Sequence, residues 1–352
     1  MRVSILAWVV QQPGAILDNR YEVISHLGNG SYGEVYEVRD HHQGQVVALK
    51  LLDPVKLGPW PWNEPTQLTR LRSDFILPVW NASTAAGIPY VVTDLARGGT
   101  VEDAVASHPM VPSDAILTIR HAARGASRTH DERIIHRDIK PANLFVSANG
   151  RVQLGDFGLA HPMNDAGGAP AAGTPATQAP EVITGGATSA SSDVYSLGAS
   201  LYRLLTGSFP YLDQPRPTRN DLEAAVRAGP PTSIRDLAPH VSRGLAAVVE
   251  RAIERLPANR HASAAELDAA LGRLRHPERS WQPLESHDGH ERCWETTGGV
   301  SSIAVCVIPS GRGGEILVRN LPSGRRIIRH CERVTRSRLA PKLRKVFEDL
   351  GN

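Results

Sequence analysis

Three cysteines in 352 residues, at positions 293, 306 and 331, are too few and too late in the chain for a disulfide-framed scaffold. Odd in number and without framework spacing, they read as buried or free thiols of a reducing compartment. An excess of one charge is also missing: the net charge of +3 is too small to argue for a polyanionic partner. No apolar run reaches the length of a membrane helix. The best candidate, Val3 to Val10, is about eight residues long, with one preceding Arg2 and no clear small-residue cleavage site. It reads as a strand or helix packed on the main domain rather than as a signal peptide. Internal repeats and low-complexity tracts are absent too. What is left is an ordinary globular composition, 41% apolar and 21% charged, on a chain long enough for two or three folding units.

From Tyr21 the pattern alternates as in strands: YEVISHLG, a glycine-rich turn, EVYEVRD, the turn HHQGQ and VVALKLL. A short helical stretch near Glu64 to Leu71 follows, then FILPVW and IPYVVTDL around the loop NASTAAG. This predicts a small lobe of five strands and one helix. After Gly98 and Gly99 the period changes to about 3.6. Thr100 with Asp103 suggests a capping box, and a helix starting at Ser113 carries Ile116, Ile119, Ala123 and Ala126 on one face. DVYSLGASLYRLLTG predicts a buried helix from Asp193 that stops at Gly207, and DLEAAVRAG, RGLAAVVERAIER and SAAELDAALGRLR predict more. A hydrophilic stretch with Pro277, Pro283, His287, Asp288 and Gly289 marks a boundary near residue 276. Beyond it SIAVCVI, EILVR and RRIIRH read as three strands. A helix follows with Leu339, Leu343, Val346, Phe347 and Leu350 on one face.

Chemistry concentrates between Ile135 and Val146, IHRDIKPANLFV, and ten residues later at Asp156, Phe157 and Gly158. Asp138 can take a hydroxyl proton, Lys140 and Asn143 lie beside it, and Asp156 can hold magnesium. A phosphoryl transfer to a hydroxyl needs these parts. Upstream, GNGSYGEV holds Gly28, Asn29, Gly30, Ser31, Gly33 and Val35 between two strands. Glycines let a turn pass close over phosphates, and Val35 would cover a purine. Lys50 on the next strand is costly in apolar surroundings unless paired, and Glu64 is its candidate partner. Any one of these has a bland explanation: a common hairpin, a snorkelling lysine, a solvated charged loop. Their order does not, since glycine loop, strand lysine, glutamate, HRDIKPAN, DFG, APE at Ala179 to Glu181 and the Asp193 helix follow one another as a functional series.

With those motifs over residues 21 to 275, the chain resembles the eukaryotic-like (Hanks-type) bacterial serine/threonine protein kinases. The resemblance implies an α+β, bilobal protein kinase fold, with a small antiparallel β lobe (about 21–96) carrying one helix and a larger, mainly helical lobe (about 97–275). Residues 1–20 would be an N-terminal extension and 276–352 a small C-terminal α+β domain. It implies Asp138, Lys140, Lys50 and Glu64 as catalytic residues, Asn143 and Asp156 as ligands of Mg2+ or Mn2+, and ATP as the phosphate donor. Lys50 would grip the α- and β-phosphates. Gly28, Asn29, Gly30, Ser31 and Gly33 would cover the phosphates. Val35, Ala48 and Phe145 would sandwich the adenine, with Thr93 as gatekeeper and the backbones of Asp94 and Ala96 at the adenine edge. Leu68, Val79, His136 and Phe157 would form the spine joining the lobes, anchored by Asp193. Lysine in RDIK is the serine/threonine signature. GTPATQAPE with Thr174, and Arg260 as partner of Glu181, point to a protein substrate rather than a metabolite. Use of ATP places the chain in the cytoplasm, and a catalytically silent scaffold is the alternative.

Some features depart from the family pattern. Arg137 beside Asp138 marks kinases often switched on by loop phosphorylation, yet LAHPMNDAGGAPAAG contains no serine, threonine or tyrosine. Only Thr174 and Thr177 could take a phosphate in this segment, so activity without one is expected, with Asp165 as a substitute acid. Thr177 replaces an aromatic residue common before APE. Pro59, Pro61 and Pro65, with Trp60 and Trp62, crowd the approach to Glu64, and proline after Glu64 disfavours the α conformation there. In the C-terminal unit His287, His290 and Cys293, with His330 and Cys331 further on, allow a zinc site. No Cys-x-x-Cys accompanies them, and surface histidines are the commoner case. The basic residues from Arg325 to Lys345 suit an acidic partner or a solvated face, with nucleic acid not expected. Trp281 and Trp294 favour a regulatory or binding module there.

Overall fold

The computed structural model describes residues 11–30, 32–57, 65–106, 108–211, 218–275, 279–287, 289–297 and 302–351. The stretch Val3 to Val10, Ser31, Glu64 and the Pro59 to Trp62 segment lie outside these.

The small lobe is one antiparallel sheet of six strands: β1 (Ile16–Leu17), β2 (Tyr21–Gly30), β3 (Gly33–Asp40), β4 (Gln45–Leu52), β5 (Val79–Ala85) and β6 (Ile88–Thr93), ordered β1-β2-β3-β4-β6-β5. One strand more than expected comes from Ile16 and Leu17 pairing with Glu22 and Tyr21. β5 also differs from expectation: it starts at Val79 and takes in Asn81, Ser83 and Thr84, whose polarity suits an edge strand. Its turn is made by Ala86 and Gly87, both at positive φ. Between β4 and β5 the described chain forms one α-helical turn, Pro54–Leu57, and then a 3-10 helix, Pro65–Arg70, where a short helical stretch was expected. It begins at the proline, whose fixed φ suits a first helical position.

The large lobe is built on α1 (Pro112–Asp131) and the buried α2 (Ala190–Thr206), with α3 (Arg219–Ala228), α4 (Arg243–Ala252) and α5 (Ala264–Gly272) around them. The boundaries follow local chemistry. Ser189 caps α2 in a reciprocal box with Ser192, and Gly207 ends it at φ 79°. The Thr100 and Asp103 box is present as expected, on a single helical turn. Almost every side of α2 is buried, so α1, α4 and α5 pack around it in one continuous core. Leu68, Val79 and Phe157 share a second core cluster that crosses between the lobes.

The C-terminal residues form a five-stranded antiparallel meander of β7 (Ser280–Leu284), β8 (Arg292–Thr297), β9 (Ile303–Ser310), β10 (Gly313–Asn320) and β11 (Glu332–Thr335), covered by α6 (Arg336–Asp349). Its core is a cluster of its own, with Leu339, Leu343, Val346 and Phe347 packed on Val305, Val307, Ile316 and Val318. Three expectations need correcting. Five strands are present where three were expected, since β7 and β8 precede SIAVCVI. RRIIRH is not a strand; Ile328–His330 is a 3-10 turn and the pairing strand begins at Glu332. Trp281 and Trp294, read from sequence as favouring a binding or regulatory module, are core residues of the unit, both buried edge-on against Phe347 at ring distances of 4.9 and 5.3 Å. Much of the basic run is also neutralised within the chain: Arg333 pairs with Glu315, Arg336 with Glu291, Lys342 with Glu332 and Arg344 with Asp236.

This unit meets the large lobe just before α4. Glu348 accepts from Arg235 at 2.6 Å and from Arg243 at 2.9 Å, and Arg292 donates to the carbonyl of Leu237. His240 lies between, fully buried near the rings of Trp294 and Phe347, and neither of its ring nitrogens has a partner among the described residues. Burial, with the Arg292 charge adding to it, pushes its pKa down to about 3. The folded chain therefore resists a proton that the unfolded chain accepts near pH 6.5, and stability should fall as the pH drops below that value. Lowering the pH to about 5 should cost the native chain roughly 2 kcal/mol more than His240→Phe, read from urea midpoints. Equal losses in both would contradict the assignment.

No helix among the described residues is long and apolar enough to cross a membrane.

Candidate active site

A cleft of about 570 Å³ lies between the lobes. Val35 and Ala48 line it from β3 and β4, and Phe145 from a short hairpin of Leu144–Val146 with Val152–Leu154. Gly28, Asn29, Gly30, Thr93, Asp94 and Ala96 line it as well, so of the residues named from sequence for the nucleotide every described one but Gly33 lines it, and Ser31 lies outside the described residues. Leu27, Tyr32 and Leu77 join them unannounced; Leu27 lies on β2, whereas Tyr32 sits in the turn before β3 and Leu77 just ahead of β5, where no periodicity marks them. Gly33 does not line the cleft. Its place is set by packing, because a Cβ there would lie 1.9 Å from the carbonyl oxygen of Leu51. At the linking strand Asp94 N–H donates to Pro78 O at 3.1 Å and its carboxylate accepts from the Trp80 indole at 2.6 Å. The Asp94 amide is thus occupied, and its carbonyl accepts from the Thr93 hydroxyl at 3.2 Å, which leaves that oxygen one lone pair for the cleft.

Asp138 is the centre of the polar end. Its Oδ2 accepts from Asn143 Nδ2 at 3.0 Å and stands 2.9 Å from Lys140 Nζ. Its Oδ1 accepts from the Thr174 amide at 2.9 Å and from the Thr174 hydroxyl at 2.6 Å, while Lys140 donates to that hydroxyl at 2.6 Å. Gly173 permits this approach: at φ 116° its Cα faces Arg137 O so closely that a Cβ would sit 2.2 Å away.

The loop carrying Asp138 hangs from Asp193. This fully buried carboxylate at the start of α2 accepts from the backbone amides of His136 (2.9 Å) and Arg137 (3.0 Å) and bonds His130 Nε2 at 2.8 Å. Burial works to raise its pKa, but the hydrogen bond and charge of His130, with His136 behind, win and keep it below the ordinary carboxylate value. His136 in turn bonds Gly155 O at 2.9 Å and packs edge-on against Phe157 at 5.1 Å. Leu68, Val79, His136 and Phe157 are all buried.

Lys50 reaches across the cleft to Asp156, with Nζ 2.6 and 2.7 Å from the two carboxylate oxygens. Asp156 takes a left-handed conformation (φ 60°, ψ 68°), tolerated by aspartate, and its side chain accepts from Gly158 N–H. Burial opposes its ionisation, yet Lys50, by charge and hydrogen bond, keeps its pKa depressed. The partner of Lys50 among the described residues is therefore Asp156, while Glu64 lies outside them.

Arg137 corrects the expectation of Asp165 as a substitute acid. Its guanidinium is buried, donating to Leu159 O at 2.5 Å and Pro170 O at 2.8 Å. Asp165 is exposed in the turn that Asn164 closes with Gly167. Burial lowers the Arg137 pKa to about 10, with Asp193 acting against it, so the group stays charged at neutral pH. Thr177 is buried, its hydroxyl turned toward Thr174 O. Below it, Glu181 and Arg260 form a two-pronged pair at 2.8 and 2.6 Å, with Arg260 over the ring of Tyr195.

Residues 21–269 match the model of the protein kinase domain. Among curated proteins the chain is 36% identical over 280 residues to serine/threonine-protein kinase PknB of Mycobacterium tuberculosis, covering 74% of this chain and 44% of that protein. It is 34% identical over 299 residues to PknB of Mycobacterium leprae (80% and 47%). Against serine/threonine-protein kinase pkn2 of Myxococcus xanthus it is 32% identical over 272 residues (73% and 32%). The chain spans less than half the length of these relatives. A cleft that gathers Lys50, Asp138, Lys140, Asn143 and Asp156, together with a domain match over most of its length, makes this chain a member of the protein kinase family, similar to the bacterial serine/threonine kinases just named.

Proposed function

We propose that the chain transfers the γ-phosphate of ATP to serine or threonine hydroxyls of proteins. The observation that carries this reading is the Thr174 hydroxyl, which lies 2.6 Å from both Asp138 Oδ1 and Lys140 Nζ. It stands in for an acceptor alcohol: a carboxylate receives the O–H and an ammonium lies on the same oxygen. Those distances are within general-base reach.

Asp138 then orients the acceptor and takes its proton, and Lys140 balances charge developing on the transferred phosphate. Lys50 holds the α- and β-phosphates. The cleft suits a nucleotide, with apolar walls for a purine at Val35, Ala48 and Phe145 and charged groups at its other end. Asn143 and Asp156 present an amide oxygen and an ionised carboxylate, hard donors suited to Mg2+ or Mn2+. The metal would neutralise phosphate oxygens there. Glu64 belongs to this reading as a second partner for Lys50, and Ser31 as part of the loop over the phosphates.

The expected product is phosphoserine or phosphothreonine on a generic basic protein, identified by mass spectrometry. Phosphotyrosine alone, or a phosphorylated metabolite with unmodified protein, would contradict the proposal. Cytoplasmic placement follows from the need for ATP. The C-terminal sheet with its own core is read as a separate domain, residues 276–352, that offers a surface to a regulatory partner.

Activity is expected to need no loop phosphate, since carbonyl oxygens already bind Arg137 and Thr177 is buried. Phosphatase treatment should leave kcat within about twofold, whereas anion-dependent ordering would make the loss far larger. A drop of tenfold or more, restored by autophosphorylation at Thr177, would refute it.

A further inference from the structure

Four metal-ligating side chains converge on the C-terminal sheet, away from the phosphoryl-transfer cleft. His287 and His290 lie on the loop between β7 and β8, Cys293 on β8, and Cys306 directly opposite Cys293 on β9. The His290 amide donates to His287 O at 2.8 Å, and this turn brings the two imidazoles together edge to face. Their Nδ1 atoms are 3.3 Å apart. His287 Nδ1 is 3.3 Å from Cys293 Sγ and 3.9 Å from Cys306 Sγ, and His290 Nδ1 is 3.4 Å from Cys293 Sγ. All four ligand atoms lie within 4.8 Å of one another.

Zinc binds nitrogen at about 2.0–2.1 Å and sulfur at about 2.3 Å, so neighbouring donors around a tetrahedral ion lie roughly 3.3 to 3.8 Å apart. These separations fall on or next to that range. Pairwise hydrogen bonds would explain individual contacts, but not why two imidazoles and two thiols share one centre. The sequence offered His287, His290 and Cys293 with His330 and Cys331 further on; the strand register puts Cys306, and neither His330 nor Cys331, beside the first three.

We propose that His287, His290, Cys293 and Cys306 form a tetrahedral zinc site that pins the β7–β8 loop to the sheet. Two thiolates select a borderline-soft cation over magnesium or calcium, and a closed set of four protein ligands marks a structural rather than a catalytic site. Both cysteines are buried while His287 is exposed, which leaves a route for the ion from solvent. The site also bears on how the unit is held. Arg292, next to Cys293, donates to Leu237 O of the large lobe, and Glu291 pairs with Arg336 of α6 at 2.5 Å. Fixing the loop fixes the residues that make both contacts.

The test uses the full chain, freed of any histidine tag and reduced. Stripped of metal and titrated with Co(II), it should take up one equivalent. The product should show intense tetrahedral d–d bands and thiolate-to-cobalt charge transfer, both erased by Zn(II). Cys306→Ser and His290→Ala should lose this spectrum, and Cys331→Ser should keep it. No uptake by the reduced parent chain, a weak octahedral spectrum, a signal unchanged in Cys306→Ser, or a Cys293 to Cys306 disulfide in protein purified under reductant would each overturn the proposal. The titration of the parent stands by itself if a variant does not fold.

Discussion

Asp138→Asn should lower kcat for a serine peptide by about 10²- to 10⁴-fold, the usual worth of a positioned general base, with ATP affinity changed little. The substitution keeps the shape but removes the charge that receives the acceptor proton, and the amide in its place can accept on one side only, from Asn143 or from Thr174, while its NH2 faces a donor on the other. It also leaves Lys140 without its carboxylate partner at 2.9 Å. Because Asp138 is buried with donors on both oxygens, some stability should be lost too, so the assay is run well below the variant's own melting transition to separate a chemical loss from a folding loss. Single-turnover rates with saturating nucleotide would read the effect. Retention of a tenth or more of the parent rate would remove Asp138 from the transfer step.

Arg260→Ala is expected to cost about 3–5 kcal/mol, the penalty for breaking a buried ion pair by deleting one partner. The Arg260 side chain is fully buried. Besides its two bonds to Glu181, it donates to the carbonyls of Glu254, Ser191 and Arg255 and lies over Tyr195. Deletion strands several acceptors and opens a cavity beside α2. The effect should reach the active site, because Glu181 begins the turn that follows the Thr174 segment. Urea unfolding followed by circular dichroism measures the stability loss, and peptide KM should rise in the same variant. A loss under about 1 kcal/mol would mean that the pair is a surface ornament.

How much of this was readable beforehand depended on whether a feature is local. The catalytic loop and its aspartates were legible because the chemistry requires residues close together in sequence, and the Asp193 helix because its apolar period and Gly207 stop are local. What escaped depended on tertiary neighbours. That Lys50 reaches Asp156 across the cleft could not be read in advance, because lobe packing brings the two together. β7 was missed because Pro283 interrupts it, which only an edge strand tolerates. RRIIRH looked strand-like from its isoleucines, yet Ile328 is exposed and the ladder begins later. Arg137 shows the same limit. That it needs compensation could be read from its neighbour Asp138; that two carbonyls would provide it could not.

The central claim is that this cleft performs transfer and does not merely bind nucleotide. It is tested most directly by incubating the parent chain with γ-labelled ATP, Mg2+ and a basic protein, beside Asp138→Asn. The account predicts acid-stable label on serine or threonine for the parent and background for the variant. Saturable nucleotide binding with no labelled protein, in magnesium or manganese, would contradict it and leave a scaffold.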